Sequence, residues 1–284
     1  MGYESVTYTA GRVARVILDR PEYRNAQSSQ LLNEVDSAFR EAVDDPGVRV
    51  IVLSGAGEAF SAGHDLGTPD QVAAREARTG DRKLTEAEDH FGYSWDHFLD
   101  MSLRWRDLPK PTIAMVHGWC IFGGWLVSSA MDLIVAAEDA RFMTNLLQYF
   151  PLPYDVGPRK AKELLFDNRV ISGTEAHEMG FVNQVFPAER LEEETMAFAE
   201  RIAENSSFFL RMAKVAVNNA QDAMGFKTAV TAAHSHYMLS QLSNSQWARM
   251  RGRDSERMDG RRRLSAVDRV LNREEEEEPG RSRG

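Results

Sequence analysis

Several things are scarce in this chain, and each scarcity removes a class of function. Among 284 residues there is one cysteine, Cys120. A disulfide framework is thereby excluded, and the reading places the protein in a reducing cytoplasm. No apolar run approaches the roughly 20 residues that a bilayer crossing needs; the longest, near 50–53 and 121–130, fall well short. No membrane partner is expected. The first residues, MGYESVTYTAGRVARV, contain no apolar signal core. Basic residues number 34 against 43 acidic ones, a formal net charge of −9, and they cluster only near the C-terminus. A broad basic surface for nucleic acid is therefore not expected. No HExxH or CxxC spacing occurs, so no metal site is expected. The glycines at 55 and 57 lack both GxGxxG spacing and a phosphate-cradling lysine, which argues against a dinucleotide-dependent oxidoreductase.

What remains is ordinary globular composition, 43% hydrophobic and 27% charged. The length suits one large domain or two modest ones. Residues 13–18 (VARVIL) predict a strand, and DRPEYRNAQ after it a polar turn. Residues 29–45 carry leucine, valine and phenylalanine at helical spacing. VRVIVLSG predicts a buried strand, and EAFSAGHDL a loop. Residues 69–108 are long, charged and helical in character. TIAMVHG predicts a third strand, GGWLVSSAMD a short buried helix, and LIVAAEDARF a strand pair. Helical patterns follow over 161–180 and from 190 onward. Strands alternating with helices predict an α/β fold. More than half of the residues in 251–284 are charged, including REEEEEP. That composition predicts a solvated, disordered tail.

Two stretches share one pattern, a buried strand running into a glycine-rich turn. They are IVLSGAGEAFSAGHDL and TIAMVHGWCIFGGWL. Glycine permits unusual backbone geometry and close approach of a ligand. A helix start adds unpaired N–H groups that suit an oxyanion. Backbone donors at His64 and Gly123 would then converge on one carbonyl oxygen, an oxyanion hole. Both stretches also read as simple tight chain reversals.

The segments LDRPEYRNAQ, GAGEAFSAGHDL, KPTIAMVHGWCIFGGWLVSSAMDLIVAAEDARF and ISGTEAHEMGFVNQVFP, in that order, resemble the enoyl-CoA hydratase/isomerase (crotonase) family. The resemblance runs from about Val13 to Ala220. It implies a spiral of ββα units over 1–200, a helical trimerisation region over 201–250, and the charged tail over 251–284. It implies a homotrimer or dimer of trimers. It further implies an acyl-CoA thioester substrate, with coenzyme A as part of the substrate and no permanently bound cofactor. The thioester oxygen would sit between the N–H groups of His64 and Gly123. Arg24, Ala26, Ala62, Asp65 and Leu66 would lie along the CoA, with Arg24 near its phosphates; a plain surface salt bridge is the other reading of Arg24.

The chain departs from the family at two positions. Hydratases of this family place and activate a water with two glutamates. The positions where they would fall here are Leu126 and Leu146. Leucine neither accepts a proton nor orients water. Isomerase, hydrolase or non-standard hydratase chemistry is therefore expected over ordinary hydration, the alternative being an inactive acyl-CoA-binding or scaffold protein. A third acidic position occurs in relatives such as dienoyl-CoA isomerases and chlorobenzoyl-CoA dehalogenases. Asp155, in PLPYDVGPRK, falls within one residue of it and is the candidate catalytic carboxylate. It also reads as a helix N-cap. His64, His90 and His97 are further candidate bases. His117 reads as structural, and His234 and His236 as lying on different helix faces. Trp119, Trp125, Leu126, Leu146, Tyr149 and Tyr154 are expected to shape the acyl pocket, or for the aromatics to fill the core. Cys120 reads as a small buried apolar residue.

Overall fold

The computed structural model describes residues 2–79, 86–144 and 146–250; the charged 251–284 segment lies outside them. The elements are β1 (Val6–Thr9), β2 (Val13–Leu18), α1 (Ser29–Asp44), β3 (Val50–Gly55), β4 (Ala59–Ser61), α2 (Pro69–Thr79), α3 (Glu86–Ser94), α4 (Met101–Arg106), β5 (Thr112–Val116), β6 (Trp119–Ile121) and α5 (Gly123–Ser129). They continue with β7 (Leu133–Ala137), β8 (Arg141–Met143), α6 (Leu152–Asp155), α7 (Pro158–Asp167), β9 (Ile171–Ser172), α8 (Gly173–Glu178), β10 (Gln184–Phe186), α9 (Leu191–Ala203), α10 (Ser207–Ala223) and α11 (Phe226–Met250). A π-helical turn, Trp95–Asp100, joins α3 to α4.

Two sheets form. One runs β1-β2-β3-β5-β7-β10, and is parallel except for β1 against β2. The other runs β4-β6-β8-β9, parallel except for β9. Consecutive strands thus alternate between sheets: β3 then β4, β5 then β6, β7 then β8. Each repeat turns a corner and gives one strand to each sheet, which is the expected spiral. The predicted strand pair over 133–142 is therefore not a hairpin. Its halves belong to different sheets, because parallel pairing joins each to the preceding repeat. The segment expected as a loop, EAFSAGHDL, opens with β4.

Residues of β3 and β5 are buried on both faces, as covered parallel strands must be. Helix α1 covers one face, with Leu31, Leu32, Val35 and Phe39 inward and Ser28 capping its start. Helix α9 crosses the large sheet, touching β2, β3, β5, β7 and β10. Its buried stripe is Leu191, Thr195, Ala199 and Ala203, spaced by four. Three of the four are small, which lets the helix lie close. Arg12 holds its end, donating to the Ala203 carbonyl at 2.9 Å.

Arg106, at the end of α4 and almost wholly buried, anchors the C-terminal helices. It donates to the Asn218 carbonyl at 3.1 Å, pairs with Asp222 at 3.1 Å, and lies 4.3 Å over the Phe226 ring. Helix α10 itself has no buried residue. Phe208 and Phe209 on it are 72% and 63% exposed.

Candidate active site

The two glycine turns meet. A Cβ on Gly63 would lie 2.7 Å from the Gly123 nitrogen. One on Gly123 would strike the side chain of Gln27 and come within 2.5 Å of His64 Nδ1. One on Gly124 would come within 2.5 Å of the Ser61 carbonyl. No real Cβ tolerates such contacts, so the first turn of α5 rests against β4 and the His64 loop only because both residues are glycine. Phe122, just before, is held at φ 53°, ψ −111°. A bulky side chain is a rare occupant of that backbone region, and such strain gathers at functional sites. The α5 start thus brings the Gly123 N–H, one of the unpaired donors of a helix terminus, beside the residue adjoining His64.

The His64 loop is fixed from below. Asp65 is buried, and Arg20 donates to it at 3.0 Å. The same guanidinium reaches the Ala26 carbonyl and Asp70. Hydrogen bonds from Thr68, Gly67 and Arg20 outweigh burial and hold the Asp65 carboxyl below its usual range. Burial alone is the largest single influence and acts upward. The Asp65 side chain is committed inside the loop, to Arg20 and Thr68. Arg24 and Leu66 are exposed and Ala26 and Ala62 half-buried, with the Ala62 N–H donating to the Arg24 carbonyl at 2.9 Å. The Arg24 side chain makes no ion pair among the described residues, so the surface salt-bridge reading is not what is observed.

Asp155 is the last residue of the one-turn helix α6. Gly157, at φ 78°, precedes the first turn of α7, and no side chain caps it. The N-cap reading of Asp155 therefore fails. Its carboxylate has no hydrogen-bond or ion-pair partner among the described residues, and the residue is partly buried. That burial pushes its pKa up to about 7. The group sits on the same segment as Tyr149, whose hydroxyl pKa is raised by burial and then by the Asp155 charge. Next to Tyr149, Gln148 Oε1 lies 2.6 Å from His64 Nε2. Segment 148–155 thus carries both Asp155 and the residue that meets the His64 ring.

The expected pocket residues divide. Leu126 is buried in the first turns of α5, and Leu146 is half-buried. Trp125 is a core residue, stacked on Phe181 at 4.1 Å and edge-on to Phe142 at 5.7 Å. Tyr149 is fully buried against Phe226, and Tyr154 meets the same ring while donating to the Met224 carbonyl. Tyr149 and Tyr154 thus share Phe226 of the C-terminal helix as their ring partner, while Trp125 packs within the core. Trp119 is half-buried beneath the Arg141 guanidinium.

The histidines also separate. His117 bonds the Gly57 carbonyl at 2.9 Å and staples a turn. His97 stacks on Tyr93 at 4.3 Å, and burial lowers its pKa. His90 lies on α3 near His234, where its charge acts on that ring. His234 is buried and His236 exposed, on different faces of α11. Cys120 is buried with its thiol pushed up to about 12, an inert state. Gln27, Ser94 and Gln148, which surround the His64 ring, carry no sequence signal of their own. Among the described residues no three His, Cys, Asp or Glu side chains converge as metal ligands.

A family model described as enoyl-CoA hydratase/isomerase matches residues 9–257. The chain belongs to the enoyl-CoA hydratase/isomerase family. Among its relatives, the "putative enoyl-CoA hydratase EchA13" of Mycobacterium tuberculosis is 38% identical over 87% of this chain and 81% of its own length. The hydroxycinnamoyl-CoA hydratase-lyase of Pseudomonas fluorescens is 35% identical over 71% of this chain and 73% of its own. A probable enoyl-CoA hydratase structure from Mycobacterium thermoresistibile superposes with a TM-score of 0.76 at 39% identity, covering 85% of this chain and 98% of that one. The two-sheet spiral is accordingly the crotonase fold, and this family member is an enzyme. No helix among the described residues is long and apolar enough to cross a membrane.

Proposed function

We propose that this enzyme moves a proton within an acyl-CoA thioester held by backbone donors. The thioester oxygen lies between the N–H groups of His64 and Gly123. Those donors stabilise the negative charge that develops on oxygen as a proton leaves carbon. Asp155 accepts that proton from one carbon and returns it to another. The double bond shifts, no water is consumed, and the atoms balance as an isomerisation. CoA is part of the substrate, with Arg24 beside its phosphates and Ala26, Ala62 and Leu66 along its path.

One observation carries this reading: a partly buried carboxylate without a hydrogen-bond or ion-pair partner among the described residues, its pKa raised by burial to about 7. A group poised near operating pH both takes and gives a proton efficiently. Ordinary hydration needs a second group to orient the water, and Leu126 and Leu146 supply none. The same reading holds the protein in the cytoplasm as a homotrimer or dimer of trimers, assembled through the exposed face of α10.

The test is turnover against a panel of enoyl-, dienoyl- and aromatic acyl-CoAs, with Asp155→Asn alongside the wild type. The variant is expected to lose about a hundred-fold or more in kcat while acyl-CoA binding survives. Crotonyl-CoA hydration is expected to stay well below about 10 per second, a typical turnover. Full activity in Asp155→Asn would remove Asp155 from the chemistry. No binding of any acyl-CoA at millimolar concentration would remove the thioester reading as a whole.

A further inference from the structure

A chain of buried side chains joins the His64 ring to the C-terminal helix. His64 Nδ1 lies 3.2 Å from Gln27 Oε1, and its Nε2 lies 2.6 Å from Gln148 Oε1. Gln148 Nε2 donates to Ser94 Oγ at 3.1 Å. Ser94 Oγ is 3.0 Å from His234 Nε2 on α11. Gln27, Gln148, Ser94 and His234 are each at most 1% exposed. His234 Nδ1 is fully enclosed and has no hydrogen-bond partner among the described residues. The rings are held flat: His64 stacks on Phe98 at 3.6 Å, and Phe91 and Trp95 close edge-on around His234.

Proton positions along this chain follow from counting donors. The Ser61 hydroxyl donates to the Asn25 carbonyl at 2.8 Å. Its one hydrogen is thereby used, so towards Gln27 it only accepts. The Gln27 amide must turn its NH2 to Ser61, as observed at 3.3 Å, and its oxygen to His64. His64 Nδ1 therefore carries a proton. Two states satisfy that. In the first the ring is neutral, and Nε2 accepts from the Gln148 NH2. The Gln148 oxygen then accepts from Ser94, and Ser94 accepts from His234 Nε2–H. In the second the ring is cationic, and every bond in the chain reverses. His234 must then carry its proton on Nδ1, where nothing receives it. A buried N–H without an acceptor is the rarer and costlier orphan. The structure places the Gln148 amide as the second state has it, Oε1 on His64 and Nε2 on Ser94. Amide oxygen and nitrogen are assigned from networks rather than from shape, and the orphaned His234 Nδ1–H of that state favours the turned amide of the first.

We propose that His234 is a positioning residue for this site, fixing through Ser94 and Gln148 whether His64 Nε2 carries a second proton. It keeps His64 neutral with the proton on Nδ1. A neutral ring leaves charge stabilisation at the thioester to the backbone donors. Asp65 is turned to Arg20, and the charge of His90 acts on His234. The inference rests on the proposed oxyanion hole for its meaning, but its test needs no substrate.

The test is nitrogen-15 NMR of the histidine rings in the full-length protein, with His64 assigned by the loss of its signals in His64→Ala. In the wild type at neutral pH, His64 is expected to show a protonated Nδ1 and a bare Nε2. Ser94→Ala breaks the chain, and His234→Phe places a ring among Phe91 and Trp95 without the nitrogens. Each variant is expected to raise the His64 population protonated on Nε2 by roughly ten-fold. A wild-type ring protonated on Nε2 overturns the proposal. So does an unchanged ring in Ser94→Ala, the smaller substitution, whether or not His234→Phe folds. Loss of acyl-CoA binding or turnover would sink the proposed function while leaving this readout untouched.

Discussion

The Asp155 carboxyl group binds its proton more tightly in the folded chain than in the unfolded one. Burial raises it from 3.8 to about 7, with no partner to offset the loss of water. Between those values the native state keeps a proton that the unfolded state has released. Stability therefore falls as pH rises through the window from about 4 to about 7, and the penalty is complete above it. Asp155→Asn does not titrate. Its melting temperature is expected to exceed that of the wild type at about pH 8, with the gap closing towards pH 4. Scanning calorimetry at both ends checks this; a gap that stays constant would show that the carboxylate is solvated. Gly123, Gly124 and Asp155 were legible in the sequence because backbone donors and a lone acid need particular residue types. Gln27, Ser94, Gln148 and His234 were not. Each is an ordinary residue alone, and Ser94 meets His234 across 140 positions of chain, a convergence that only the tertiary fold creates.

Elements differ in how loudly the sequence announces them. Strands β3 and β5 are mostly apolar and were plain. Strands β4, β6 and β8 have three residues each, too few to display a period, so a second sheet was not visible and β4 read as part of a loop. Helix α6 was hidden by its prolines, and with it the fact that Asp155 ends a helix instead of starting one. The C-terminal helices were visible as helices, but their anchor was not. Arg106 reads as one charge in a charged helical stretch, yet it is a buried side chain that grips both α10 and α11. Arg106→Ala is expected to cost on the order of 1–3 kcal/mol, the range for buried hydrogen bonds left unmade. The loss should be local. Limited proteolysis should show faster cleavage over 204–227 while the sheet-bearing fragment persists; unchanged cleavage there would show that α10 and α11 are held by other contacts.

For the whole molecule, the uncovered α10 implies a partner surface. Exposed apolar clusters of this kind mark interaction sites. With both Phe208 and Phe209 replaced by Asp, the trimer-sized mass expected for the wild type by light scattering should fall to that of a single chain. An equal mass in both proteins would place the interface elsewhere. The large sheet has another consequence, one that concerns synthesis. Its spatial order, β1-β2-β3-β5-β7-β10, is also its order in the chain. Each strand is added beside its predecessor as the ribosome delivers it, so the growing sheet always presents one open edge. Its face waits longer still, because α9, which crosses five of those strands, is made after all of them. At about 5–20 residues per second, the stretch from β3 to the end of α9 takes roughly ten to thirty seconds to emerge. Through that interval the nascent chain carries a bare apolar sheet, and a message truncated before codon 191 would release it permanently unroofed.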